Sequence, residues 1–255
     1  MTNSETPNPQ VQPPVKFNSS LAFPHEPPYA SLFAERVPLL QAFHLALANC
    51  VRGRHHRAAT LSGRLNQWLT SMAPSFRAAE CGVYTGSSLV ACAQAARNSG
   101  LSFRIHGLDT FVGLPSLSAM DESLSPPDAK YRHNTLFADT SVEMVRENLA
   151  TAGLDGNVML HQGLFSVSLL KLPDQTYHFV NIDCDLYEPH LECLEYFYPR
   201  LVCGGIMFFD DYHSVEYPMA GKAIDTFMSD KPEKLMHLRF GENAPNRTKA
   251  FFVKY

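Results

Sequence analysis

The 255-residue chain has no apolar run approaching the length of a bilayer span, since stretches such as "GGIMFF" end after a few residues. Charge is sparse at 18%, and a net charge of -4 gives no basic field, which disfavours nucleic acid or an anionic membrane as the main partner. The six cysteines (Cys50, Cys81, Cys92, Cys184, Cys193, Cys203) form no CxxC pair and no His/Cys cluster at zinc spacing. They read as reduced, mostly buried thiols. A GxGxxG turn and a Tyr-x-x-x-Lys helix pair are also missing, which disfavours an NAD(P)-dependent reductase. The N-terminus lacks a charged start followed by an apolar core, so a soluble cytoplasmic protein is expected.

What is present is apolar: 45% of residues are hydrophobic, enough for the full core of one α/β domain with appendages. Residues 1–28 hold seven of the 18 prolines and little periodicity, so 1–29 reads as a flexible or extended arm. Residues 30–75 carry apolar residues at helical spacing, with Pro38 allowed near a first turn, and are expected to pack as helices on the core. From residue 76 to the end, strand-like and helix-like segments alternate. This is the pattern of βαβ units and a parallel sheet covered on both faces. "KLMHLRF" and "KAFFVKY" break the rhythm and are expected to pair antiparallel at one edge.

In an open parallel sheet, ligands bind beyond the carboxyl ends of the strands. "AECGVYTGSS" places Glu80, Gly82, Gly86 and Ser87 between the first strand and its helix, and Asp109 closes the second strand. Glycine there lets backbone approach a ligand, while Glu80 would repel a pyrophosphate. A ligand with a ribose, an amino group and a sulfonium but no phosphate, namely S-adenosylmethionine (SAM), suits this end.

"HFVNIDCDLY" and "GGIMFFDDYH" put Asp183, Asp185, Asp210 and Asp211 at the ends of two further apolar strands. If Asp183 and Asp185 lie on a continuing strand, they point to the same side. If the strands are neighbours, three or four carboxylates crowd together and must take up protons or hold a cation. Oxygen-only ligands favour Mg²⁺, Mn²⁺ or Ca²⁺ over zinc, with Mg²⁺ expected. A cation on a substrate hydroxyl would lower its pKa, and a nearby carboxylate would take the proton before attack on the SAM methyl group.

Together "AECGVYTGSS", "GLDTFVGLP", "DTSVEMVRENLATAGL", "VNIDCDLYEPHLECLEYFYPRLVCGGIMFFDDYH" and "GKAIDTFM" resemble the macrocin O-methyltransferase (TylF-like) family across residues 76–255. The resemblance implies a Rossmann-like class I SAM-dependent methyltransferase fold. Its sheet would be seven-stranded and mostly parallel, with an antiparallel C-terminal hairpin and N-terminal helices. The implied activity is Mg²⁺-dependent (or Mn²⁺-dependent) methylation of sugar hydroxyls on antibiotics such as macrolides and aminocoumarins. Asp183, Asp210 and Asp211 would hold the metal and Asp185 would be the general base. Glu80 and Gly82 would line the methionine end of SAM and Asp109 its ribose, with Tyr84, Ser87, Asp183 and, toward the adenine, Phe165 as further cofactor contacts. Residues 115–140 would form a mobile lid whose Tyr131 and His133, together with His213, are candidate substrate contacts.

The partner expected is a small hydroxylated acceptor, with a homo-oligomer as the assembly. Departures from the family pattern include Ser87 in place of a second glycine, Cys184 between Asp183 and Asp185, and no acid in "GLFSVSLLKLP". Two other functions fit the same residues: a catechol-type methyltransferase acting on a phenolic acceptor, and a catalytically silent SAM-binding scaffold. The four-aspartate set argues against the silent protein, which has no reason to keep clustered charge.

Overall fold

A computed structural model describes residues 30–58, 76–133, 136–239 and 248–255. The expected arm at 1–29, the second N-terminal helical stretch and the turn before the last strand lie outside the described residues. Glu35–Tyr255 is one compact unit, and all the packing below lies within it.

Helix α1 (Ala30–Ala58) corrects the expectation for Pro38, which sits inside the helix rather than in its first turn. Its buried stripe of Leu39, Phe43, Leu47 and Cys50 follows helical spacing. The Phe43 ring meets Phe76 and Phe179 edge-on, with centroids 5.2 and 4.9 Å away. That contact seats α1 against the sheet.

Seven strands follow: β1 (Phe76–Cys81), β2 (Phe103–Asp109), β3 (Val158–Gln162), β4 (Tyr177–Ile182), β5 (Leu201–Phe209), β6 (Met236–Arg239) and β7 (Thr248–Val253). They form one sheet in the order β3-β2-β1-β4-β5-β7-β6. The first five run parallel, and β7 enters antiparallel between β5 and β6. The mostly parallel seven-stranded sheet with an antiparallel C-terminal pair, expected above, is the sheet found.

Helices link the parallel strands: α2 (Ser87–Asn98) after β1, α3 (Ala119–Leu124) and α4 (Val142–Thr151) after β2, and the short α5 (Phe165–Ser168) after β3. Helix α6 (Tyr187–Phe197) follows β4 and α7 (Pro218–Met228) follows β5. Alternation along the strands divides the core. Phe76, Ala78 and Phe179 face α1, α2 and α4, whereas Ala79, Cys81, Val180 and Ile182 face α6 and α7. All six residues of β4 are buried, including the polar His178 and Asn181, as its central place in the sheet requires. Five cysteines are buried and Cys203 is exposed, none of them in a disulfide. Among the described residues no helix is long and apolar enough to cross a membrane.

Candidate active site

The strand register lines up the chemistry. Cys81 pairs with Leu108 on β2 and with Ile182 on β4, Ile182 pairs with Phe209 on β5, and Phe209 pairs with Ala250 on β7. One residue beyond these pairs stand Asp109, Gly82, Asp183, Asp210 and Lys249, a single rank across five strands. Backbone bonds continue the ladder into it: Gly82 N–H donates to Leu108 O (2.9 Å), Asp183 N–H to Cys81 O (2.9 Å) and Asp210 N–H to Ile182 O (3.2 Å).

Gly82 is the only residue type its place allows. Its φ is +89°, and a Cβ there would lie 1.6 Å from the carbonyl oxygen of Asp183. This close approach joins the turn after β1 to the tip of β4. The rank opens into a cavity of about 660 Å³, lined among others by Gly82, Tyr84, Ser87, Asp109, Asp183, Asp185, Asp210 and Phe165. Lys249, Glu188, Glu192 and, from α1, Pro38 and Leu39 complete parts of its wall.

Asp109 acts first on the chain itself. Its Oδ2 accepts the N–H groups of Val83 (2.7 Å) and Tyr84 (2.9 Å), and its Oδ1 accepts the Phe111 N–H (2.7 Å). The carboxylate therefore braces both loops at the cavity floor. Glu80 does not line the cavity; it is buried, and its Oε1 accepts from Ser88 Oγ (2.5 Å) and Asn181 Nδ2 (3.1 Å).

The acidic group gathers as its register requires. Asp183, Asp210 and Asp211 each present a carboxylate oxygen, and the three lie within 4.8 Å of one another. Asp211 is 8% exposed, and its Oδ2 is buried without a hydrogen-bond partner. Burial, then the charge of Asp210, pushes the Asp211 carboxyl up to about 7. Burial and the neighbouring aspartates hold Asp183 and Asp185 well above the usual carboxylate range. No nitrogen or sulfur ligand joins the group among the described residues, so its donors suit a hard divalent cation such as Mg²⁺ or Mn²⁺.

The DxD pair does not lie on one extended strand, as the sequence had invited. Strand β4 stops at Ile182, and Asp185 has φ +61°, in the left-handed region. The turn still leaves Asp185 in the cavity wall, near Asp210 and Asp211 but outside their close triad.

Of residues 115–140, Pro115, Ser116, Ser118, Asp121 and Phe137 line the cavity. The Asp121 side chain, 1% exposed, caps α3 through Ser118 and accepts the Tyr187 N–H at 2.7 Å, tying this segment to the first turn of α6. Arg132 donates to the carbonyls of Glu122, Ser125 and Pro126. Tyr84 OH donates to Asp139 (2.9 Å), and Thr140 Oγ1 donates to Tyr84 O (2.7 Å).

Two candidate substrate contacts, Tyr131 and His213, are not brought into the cavity lining. Tyr131 is completely buried against the Tyr217 ring, with centroids 5.0 Å apart, because its apolar ring completes the cluster that seats this segment. His213 stands outside, its Nε2 3.1 Å from Nδ1 of His237 in an exposed pair. His133 ends a one-turn 3₁₀ helix (Lys130–His133), and its side chain lies outside the described set.

Lys249 is a charged cavity residue that reading the sequence missed. Its Nζ lies 2.5 Å from Asp210 Oδ2. Burial alone would lower its pKa, but the attraction of Asp210, Asp211 and Asp183 wins and raises it. No local pattern announces the pair, because the two residues are 39 apart and meet only through the β5–β7 register.

Known proteins resemble this chain in sequence and in fold. Residues 55–235 match the family model described as macrocin-O-methyltransferase (TylF). The 8-demethyl-8-(2,3-dimethoxy-alpha-L-rhamnosyl)-tetracenomycin-C 4'-O-methyltransferase of Streptomyces olivaceus is 32% identical over 135 residues, 52% of this chain and 51% of that protein. The demethyldecarbamoylnovobiocin O-methyltransferase of Streptomyces niveus is 31% identical over 120 residues, 47% of this chain and 45% of its own. The match thus spans about half the length of these relatives. Among solved structures, the O-methyltransferase NovP superposes with a TM-score of 0.60 at 23% identity, over 70% of this chain and 72% of its own. The calicheamicin methyltransferase CalS11 gives 0.54 at 21%, over 74% and 75%. These likenesses establish the class I SAM-dependent methyltransferase fold. With the family model covering most of the chain, the protein belongs to the macrocin-O-methyltransferase (TylF) family.

Proposed function

We propose that this protein is a SAM- and divalent-metal-dependent O-methyltransferase whose acceptor is a hydroxyl on the sugar of a natural product or glycan. The observation that carries the reading is the rank of strand ends, which sets Asp183 and Asp210 beside a glycine turn in the wall of one cavity of about 660 Å³, with Asp211 completing the carboxylate triad within 4.8 Å of them. A cavity of that size is in the range of small-molecule sites. The names of the two Streptomyces relatives, one an O-methyltransferase of a rhamnosyl tetracenomycin and the other of a demethyldecarbamoylnovobiocin, support the acceptor class.

In this reading Asp183, Asp210 and Asp211 would hold Mg²⁺ or Mn²⁺, and the unpartnered Asp211 Oδ2 is a donor consistent with that role. When bound, the cation would lower the pKa of an acceptor hydroxyl and fix its position. Asp185 takes the hydroxyl proton. Burial, the largest cause of its raised proton affinity, makes it a stronger base than a carboxylate in water. Gly82, with no side chain, leaves room for the methionine part of SAM, and the acid-rich wall favours its sulfonium charge over a phosphate. Phe165 and Leu164 offer an apolar edge for adenine. Residues 115–140 act as a lid over the reacting atoms, excluding water while Asp185 accepts its proton.

The test is transfer of labelled methyl from SAM to a panel of glycosides and phenols, with Mg²⁺ or with EDTA. Methylation of a sugar hydroxyl that EDTA abolishes is expected. Asp185→Asn should lower kcat by roughly 10²–10⁴ while leaving Mn²⁺ and SAM affinity intact. Turnover that resists EDTA, or a fully active Asp185→Asn protein, contradicts the mechanism. Transfer to phenols alone would reassign the acceptor to the catechol type.

A further inference from the structure

Lys249 is unusual company for a metal site, because an ammonium group repels the cation that the neighbouring carboxylates would gather. Strand β7 nevertheless delivers it to the end of the rank, opposite Asp210, in contact with Asp210 Oδ2 and in the wall of the same cavity. Its side chain is only 18% exposed and that of Asp210 29%, so water screens the pair incompletely.

The charge balance defines what it can do. Fully ionised, as ligands of a cation would be, Asp183, Asp210 and Asp211 would bring three negative charges into a space where their oxygens lie within 4.8 Å. One ammonium would leave two of them uncompensated, the charge of one divalent cation. The lysine therefore does not replace the metal. It offsets part of the repulsion in the metal-free cluster and would make the metal-bound cluster neutral.

We infer that Lys249 is the chain's own counter-cation for the carboxylate triad: it keeps the triad assembled in the metal-free protein and, by repulsion, weakens and so tunes divalent-metal binding. The inference rests on the metal reading above and extends it to a positioning residue outside the ligand set. Antiparallel insertion of β7 then has a chemical consequence, since a strand ending elsewhere would leave the triad without its cation.

Calorimetric titration of the full chain with Mn²⁺, in the absence of acceptor, tests this. Lys249→Met keeps most of the side-chain bulk and removes the charge. It should bind Mn²⁺ roughly tenfold or more tightly, the scale expected for removing one nearby like charge from a partly buried site. Without metal it should melt below the wild type, and Mn²⁺ should raise its melting temperature by more. Lys249→Arg, which keeps the charge, should restore weak binding. Equal or weaker Mn²⁺ affinity in Lys249→Met overturns the inference while leaving the metal reading intact. Failure of Mn²⁺ to bind either protein overturns both.

Should Lys249→Met not fold, the wild type carries the test through its reactivity toward acetic anhydride, read at Lys249 by mass spectrometry. Pairing with Asp210 should protect Lys249 in the metal-free protein, and saturating Mg²⁺ should raise its acetylation several-fold. A rate unchanged by Mg²⁺ refutes the pairing role.

Discussion

Replacing Gly82 with alanine perturbs the one backbone contact on which the site's geometry depends. The new Cβ would start 1.6 Å from the Asp183 carbonyl oxygen, so the turn after β1 and the tip of β4 must separate by more than about 1 Å. An L-residue held at φ +89° adds about 1–2 kcal/mol of strain. Separation also strains the bonds from Asp183 N–H to Cys81 O and from Gly82 N–H to Leu108 O, each contributing about 1 kcal/mol. The sum is about 3–4 kcal/mol, or a melting temperature lower by about 10 °C for a chain of this size. Because Asp183 moves with its carbonyl, Mn²⁺ affinity should fall too, and kcat by about 100-fold. The control is Gly100→Ala, at φ +73° with nothing within 4 Å of the new Cβ, which carries the strain without the collision. Urea unfolding and Mn²⁺ calorimetry on both variants read the result. If Gly82→Ala proves no worse than Gly100→Ala, the contact does not position Asp183 and the reasoning fails.

Asp121→Ala would leave the buried Tyr187 N–H without its acceptor and remove the cap of α3, so hydrogen exchange across residues 115–133 should rise and KM should increase more than kcat falls. Unchanged exchange there would show that Asp121 does not hold the segment down. His106 is held down to about 4 by burial, then by His161 and Arg104, so the folded state binds its proton later than the unfolded chain does. Its contribution is complete above pH 6.5 and is lost as pH falls toward 4, by up to about 3 kcal/mol. His106→Gln should therefore lose less stability than the wild type between pH 7.5 and 4.5 in urea titrations, and parallel losses would refute the assignment.

The strands and the four aspartates were legible because their signals are local. Apolar runs such as "HFVNI" and "IMFF" are followed at once by acids, and strand ends in a parallel sheet face the ligand side. What stayed hidden depends on distant pairing. Lys249 reaches Asp210 only because β7 inserts between β5 and β6, and Asp121 reaches Tyr187 across 66 residues. Tyr131 read as a loop residue free to meet substrate, yet its ring completes a core cluster, a fate set by Tyr217, Met219 and Ala223 far along the chain. Asp109 looked like a ribose acceptor, and the backbone N–H groups that also use it depend on how two loops fold around it. Pro38 was placed by its preference for a first turn, but the helix begins eight residues earlier, at Ala30.

Diffraction from crystals soaked in Mn²⁺, recorded at wavelengths that reveal manganese by its anomalous signal, addresses the central claim directly. The account predicts one strong peak at the strand ends, in contact with carboxylate oxygens of Asp183, Asp210 and Asp211 together. No peak there, or manganese held elsewhere while the triad stays paired only with Lys249, would contradict it.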